Sequence, residues 1–317
     1  IQKLLNHISR NTKSEASRSN YNSIVCVFYR FIGITNPDEL FLFEKNKIQD
    51  YIVDYLDSLV KRNVSRFTVQ NNRYILLTFL KVNGINNCER IPFYKVPPRY
   101  VFRSRYYPTK AEIWKMVEVS SSLRDKAIIL TLYTTGLRNS TLRALQYGDI
   151  KDELEKGEKI LTINVSPQMK KRIAEACKGC IPYVTFTSPE ATLAINDYIK
   201  WRRGIVGPLE TDAPLFCSNY NQIVRDARNR KYMASNLLQH IIKTTAKKAG
   251  IEQWKDVSVH TIRTVYNTII RSPLSDGTNM DPTLQDYLMG HIPPGTRDYY
   301  FDKSRPNEIK SIYEKII

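Results

Sequence analysis

Val259-His260-Thr261-Ile262-Arg263-Thr264-Val265-Tyr266-Asn267-Thr268-Ile269-Ile270 is the stretch from which the rest of the chain becomes readable. It reads as a helix, and the step from His260 to Arg263 lets one helical face present both side chains. Downstream come Leu288-Met289-Gly290-His291 and then Asp298-Tyr299-Tyr300-Phe301, while Thr134-Thr135-Gly136-Leu137-Arg138 stands far upstream. The chain has only four histidines, and two of them fall in this C-terminal region. An Arg, a His-x-x-Arg, a Gly-His and a Tyr nine residues after that His form a set suited to phosphodiester chemistry. Two guanidinium groups can neutralise a phosphate, imidazoles can hold or move protons, and a phenol can attack phosphorus.

The bulk of the sequence agrees with a polyanionic substrate. The formal charge is +17 over 317 residues. Residues 1–100 hold 15 Lys and Arg against 8 Asp and Glu, hence +7, and the remainder holds 33 against 23, hence +10. Both parts are cationic, which excludes a neutral enzyme with one basic tail and favours double-stranded DNA, with about one charge per ~1.7 Å of axis. No run approaches the ~18 apolar residues that span a bilayer, so no membrane partner is expected. The apolar residues near the N-terminus are few and interrupted, so no signal peptide is expected either, and a chain opening on Ile1 reads as a trimmed form. Five cysteines (Cys26, Cys88, Cys177, Cys180, Cys217) make no secreted disulfide framework, which points to a reducing, cytoplasmic setting.

Periodicity divides the chain into two domains. Helices are predicted over Ser14–Ile32, from Pro37 or Asp38 to Leu59, and over Ser65–Val82 with Gly84 as a stop. Residues 1–91 thus form an all-helical domain. Residues 92–108 are rich in Pro, Arg and Tyr and read as an extended linker suited to lie along a phosphate backbone. From 109 to 317 the pattern is mixed. Thr109 caps a helix, a buried helix runs from Asp125 to Thr134, and β-like runs cover Ile160–Val165 and Ile181–Phe186. Helices follow at Ser188–Arg202, Met233–Ala249, Val259–Ile270 and Asp281–Met289. The predicted fold class is mainly α with one small antiparallel sheet.

The order and spacing of these motifs resemble the tyrosine recombinase (phage integrase) family, from about residue 14 to the end. The context Ala144-Leu145-Gln146-Tyr147-Gly148-Asp149-Ile150 looks like that family's continuation of the turn carrying Arg138. The resemblance implies a helical core-binding domain that clamps DNA and a mixed α+β catalytic domain. It implies strand cleavage through a 3′-phosphotyrosyl link with a free 5′-hydroxyl, strand exchange through a Holliday junction, and a tetramer on DNA. Bond energy is kept in the covalent intermediate, so no cofactor is expected. It makes Arg138 the first catalytic arginine, places His260, Arg263 and His291 at the scissile phosphate, and makes Tyr300 the nucleophile in preference to Tyr299. A lysine between the strands would protonate the leaving oxygen, and either Lys170 or Lys171 fits. One departure stands out: Thr141 occupies a position that is often acidic in the family, so the usual carboxylate is missing or supplied from elsewhere.

No metal is required by this chemistry. Cys177-Lys178-Gly179-Cys180 is a lone pair without the second pair that structural zinc needs, and reads as a turn. The apolar stripe Ile309, Ile312, Tyr313, Ile316, Ile317 makes the tail amphipathic, and the family's habit of swapping this segment implies docking in trans on a neighbouring protomer. Two other classes fit the same residues. One is a type IB topoisomerase sharing the Arg, Lys, His and Tyr chemistry; the other is a non-catalytic DNA-binding relative.

Overall fold

The computed structural model describes residues 1–11, 15–96, 106–218, 232–292 and 306–316. Two compact units are present, Ile1–Ser104 and Arg105–Ile317. The first is helical: α1 (Gln2–Asn11), α2 (Glu15–Ile32), α3 (Lys45–Lys61) and α4 (Arg66–Val82). Apolar residues at helical spacing (Val25 and Phe28; Ile48, Ile52 and Tyr55; Leu76 and Phe79) bury one face of each of α2, α3 and α4 in a common core. Ser65 caps α4 by accepting from Thr68 N. The segment after α4 is pinned back: Arg73 donates to the carbonyls of Ile91 and Pro92, and Tyr94 donates to Asp57 at 2.7 Å.

Two sequence expectations change here. The helix predicted from Pro37 or Asp38 is two elements, a 3-10 turn over Pro37–Leu42 and then α3. The break is at Phe43, whose extended backbone lets its ring pack edge-on against Tyr51. Helix α1 was not foreseen, because its apolar residues are diluted by polar ones; Leu4 and Ile8 nevertheless bury one side of it. Most of the predicted linker, residues 97–105, lies outside the described residues.

The second unit contains α5 (Lys110–Glu118), α6 (Leu123–Thr135), α7 (Asn139–Arg143), α8 (Lys151–Glu155), β1 (Thr162–Val165), β2 (Tyr183–Phe186), α9 (Pro189–Val206), α10 (Ser235–Lys248), α11 (Val259–Ile270), α12 (Pro282–Leu288) and a tail helix, Pro306–Glu314. The strands pair antiparallel, with Thr162 opposite Phe186 and Val165 opposite Tyr183. The fold is mainly α with one small antiparallel sheet among the described residues.

Helix α6 is the centre of this unit, apolar nearly all round and packed by α5, α9 and α11. Its last carbonyls lack intrahelical donors, and three separate elements supply them. Tyr313 of the tail helix donates to Thr134 O at 2.6 Å, Thr185 of β2 donates to Thr135 O at 2.8 Å, and Arg263 of α11 donates to Gly136 O. Tyr313 and Ile309 are buried, so the tail helix packs on its own unit. Ion pairs flank it, the half-buried Lys310 with Glu158 and the exposed Lys315 with Asp276. No helix among the described residues is long and apolar enough to cross a membrane.

Candidate active site

Gly136 ends α6 with φ +59°, a left-handed conformation that costs glycine nothing, and the chain turns there into α7. A Cβ at Gly136 would clash with the Tyr266 ring. The turn sets Arg138 at the N-cap of α7, half-buried, where its Nη2 donates to Gly290 O at 3.2 Å. Helix α11 starts with a capping box between Ser258 and Thr261, which fixes the first turn and places His260 at the surface. Arg263, one turn on, is buried; its two terminal nitrogens donate to Gly136 O and Met289 O. Burial, and then the charge of Arg138, pull the Arg263 guanidinium down to about 10. An anion arriving here would relieve both costs.

Helix α12 ends in a Schellman turn. Gly290 N donates to Tyr287 O at 2.8 Å and His291 N donates to Asp286 O at 2.9 Å, with Gly290 at φ +59°. Gly290 also lies flat against the Tyr183 ring, so that a Cβ there would clash. His291 is set at the rim, its Nε2 3.5 Å from Arg263 Nη2 and its Nδ1 3.9 Å from Asp286 Oδ1. Burial, then Arg263 and Arg138, hold its pKa below the usual imidazole value, with Asp286 opposing them. Burial raises the Tyr183 phenol, and the neighbouring Arg263 and Arg138 counter that rise. The structure therefore gathers Arg138, Arg263 and His291 around the Met289–Gly290 carbonyls.

Lys170 and Lys171 end a 3-10 turn, Pro167–Lys171, between the strands. They are not equivalent. Lys171 is exposed, whereas Lys170 is half-buried, with Nζ 3.5 Å from Ala174 O. Lys170 and Arg138 both act electrostatically on the buried Cys177 thiol, which burial pushes up. Arg172 ties this loop to the Arg138 side of the unit, reaching both Asp149 carboxylate oxygens and, at 3.1 Å, Ala144 O. Cys177 and Cys180 form a tight turn, with Cys180 N donating to Cys177 O at 2.9 Å and both residues left-handed. No cluster of three or more His, Cys, Asp or Glu suited to a metal occurs among the described residues. Thr141 is fully buried, and its hydroxyl has no hydrogen-bond partner among the described residues. Tyr299 and Tyr300 lie outside the described residues.

Sequence reasoning missed Tyr183, Arg271 and Asp286. Tyr183 carries no motif; only its register at the end of β2 brings it under Gly290. Asp286 had a legible signal: it stands five residues before His291 with a glycine between, the spacing of a Schellman turn.

Residues 109–304 match the model of the phage integrase family. The tyrosine recombinase XerA of Pyrococcus furiosus is 26% identical over 257 residues, covering 78% of this chain and 74% of that protein. XerA of Pyrococcus horikoshii is 25% identical over 255 residues with the same coverage, 78% and 74%. Among solved structures, a lambda integrase tetramer bound to a Holliday junction aligns with a TM-score of 0.60 at 15% identity, covering 95% of this chain and 76% of that one. The Tn1549 transposon integrase in complex with transposon right end DNA aligns with a TM-score of 0.58 at 14% identity, covering 99% and 98%. At those identities the structural likeness speaks for the fold.

Proposed function

The chain belongs to the phage integrase family of tyrosine recombinases, enzymes that break and rejoin DNA strands at specific sites, and we propose that it does so with Tyr300 as nucleophile and Arg138, Lys170, His260, Arg263 and His291 around the scissile phosphate. The observation that carries this reading is the convergence of Arg138 and Arg263 on adjacent carbonyls, Gly290 and Met289. Two guanidinium groups from distant parts of the chain, one buried and at reduced pKa, make a site whose charge calls for an anion.

A phenol near its ordinary pKa of about 10 is a poor nucleophile at neutral pH. The two arginines withdraw charge from the phosphate as it becomes pentacoordinate. His260 and His291 take the phenolic proton or donate hydrogen bonds to the nonbridging oxygens. The Tyr300 oxygen forms a bond to phosphorus while the bond to the 5′-oxygen breaks, and that oxygen leaves with a proton from a lysine. Lys170 suits this better than Lys171, because it is half-buried and its charge reaches the same thiol as Arg138. The 5′-hydroxyl of a partner strand then attacks the phosphotyrosine and restores the phenol.

Assembly follows the same reading. We assign DNA clamping to residues 1–91, with 92–108 as linker and 109–317 as the catalytic part; the +7 charge of residues 1–100 supports it. In a tetramer on DNA the slot around Tyr313 is filled by a neighbour's tail, which the small number of buried anchors on that helix (Ile309 and Tyr313) would permit. The compartment is the one holding the DNA, the host cytoplasm or nucleoid. The test is incubation with suicide duplexes drawn from a random-sequence pool enriched for bound DNA, followed by mass spectrometry of the adduct. A Tyr300 phosphotyrosine with a free 5′-hydroxyl supports the chemistry, and Holliday junctions separate a recombinase from a topoisomerase. Bound DNA that never yields an adduct overturns the reading in favour of a non-catalytic binder.

A further inference from the structure

A Schellman turn brings the side chain of its last residue back over the side chain three positions inside the helix end, and a hydrophobic pair usually occupies the two places. At the end of α12 those places hold His291 and Asp286. A titratable pair stands where apolar contact is customary. It stands at the rim of the arginine site, because His291 faces Arg263 through its other ring nitrogen.

Asp286 has a second partner. Arg271, directly after α11, donates through Nη2 to Asp286 Oδ1 at 3.2 Å, the same oxygen that lies 3.9 Å from His291 Nδ1. Arg271 and His291 therefore compete for one carboxylate oxygen. The charged groups that act on His291 come from every side: Arg263 on α11, Arg138 before α7, Arg271 after α11 and Asp286 on α12. Three are cations, and Asp286 is the single anion among them.

We propose that Asp286 is a positioning residue for His291, holding the imidazole with its Nδ1 proton toward the carboxylate and its Nε2 lone pair toward the phosphate site, while Arg271 limits how strongly it does so. The inference rests on the recombinase reading only for the meaning of that site. Its physical content is the tautomer and charge of His291. An unprotonated Nε2 suits a group that must accept a proton or bond to an oxyanion after becoming protonated.

Two variants with opposite signs test it. In Asp286→Asn the histidine loses the carboxylate beside it and its pKa falls. In Arg271→Gln it loses a cation and gains full use of the carboxylate, so its pKa rises. Each shift is on the order of half a unit, against about 1–3 for a buried partner, because the groups are partly exposed. The readout is imidazole NMR on the full chain, whose four histidines keep the spectrum tractable, with His291 assigned from the His291→Gln spectrum. Asp286→Glu, which keeps the charge, should restore the wild-type titration and serves if the Asn variant folds poorly. Shifts of opposite sign support the proposal; an unmoved His291 signal, or two shifts of one sign, overturns it. The acid limb of the pH profile of adduct formation should move with the NMR titration. Titration shifts on a chain that never forms an adduct would sink the recombinase chemistry and leave this pairing intact; adduct formation with an unmoved titration would do the reverse.

Discussion

Arg138 and Arg263 bind successive carbonyls of one turn: Arg138 donates to Gly290 O and Arg263 to Met289 O. One arginine follows α6, the other lies inside α11, and the turn closes α12. Like charges are brought together by a shared acceptor strip, and main-chain dipoles offset their repulsion until an anion does so.

The nucleophile is tested by Tyr300→Phe, which should abolish the covalent adduct while leaving DNA affinity nearly unchanged. Tyr299→Phe should retain the adduct. Denaturing gels on suicide duplexes check both, and an adduct surviving in Tyr300→Phe would move the assignment to Tyr299.

Lys170→Ala should slow cleavage by about 10²–10⁴-fold, the usual worth of a positioned general acid. Replacing the leaving 5′-oxygen by sulfur should restore the rate, since a thiolate leaves without a proton. Lys171→Ala should cost far less. Rescue by sulfur of the Lys171 variant instead would exchange their roles.

Gly290→Ala should lower stability by roughly 1–3 kcal/mol from the left-handed backbone alone, and more because the new methyl meets the Tyr183 ring. Gly136→Ala should behave alike against Tyr266. Urea unfolding measures both, and a neutral result at Gly290 would contradict the packing described.

Tyr313→Phe removes the donor to Thr134 O inside the core, at a cost of about 1–3 kcal/mol for a buried carbonyl left unmet. Truncation to Ala adds a cavity and should cost roughly 3–5 kcal/mol in all. Thermal unfolding distinguishes the two.

His291 contributes a pH dependence of known sign. Its folded pKa is depressed, chiefly by burial and by Arg263, so the unfolded chain binds the proton more readily. Stability should therefore fall as pH drops below the unfolded value of about 6.5 and level off below the folded one. His291→Gln should flatten that limb of the stability–pH curve.

Much of this was readable in advance. The longer helices of the second unit follow from apolar spacing, though the five-residue α7 and α8 do not, and Gly136 as a helix stop follows from its place after Thr134-Thr135. The family follows from the order of its motifs. What sequence reasoning did not deliver depends on contacts across long separations. Tyr183 reaches Gly290 through strand register, and Lys170 differs from Lys171 by which way a 3-10 turn faces. Helix α1 was missed because two buried residues, Leu4 and Ile8, are too few to set a visible period.

The end of α6 has a further meaning. Its carbonyls at 134, 135 and 136 are held by the tail helix, the sheet and α11 in turn, and Arg138 stands two residues beyond. The tail helix ties the first of three knots on one cord, and the other end of that cord carries Arg138. The seat of the tail helix and the position of Arg138 are thus set by one short stretch of main chain, residues 134–138.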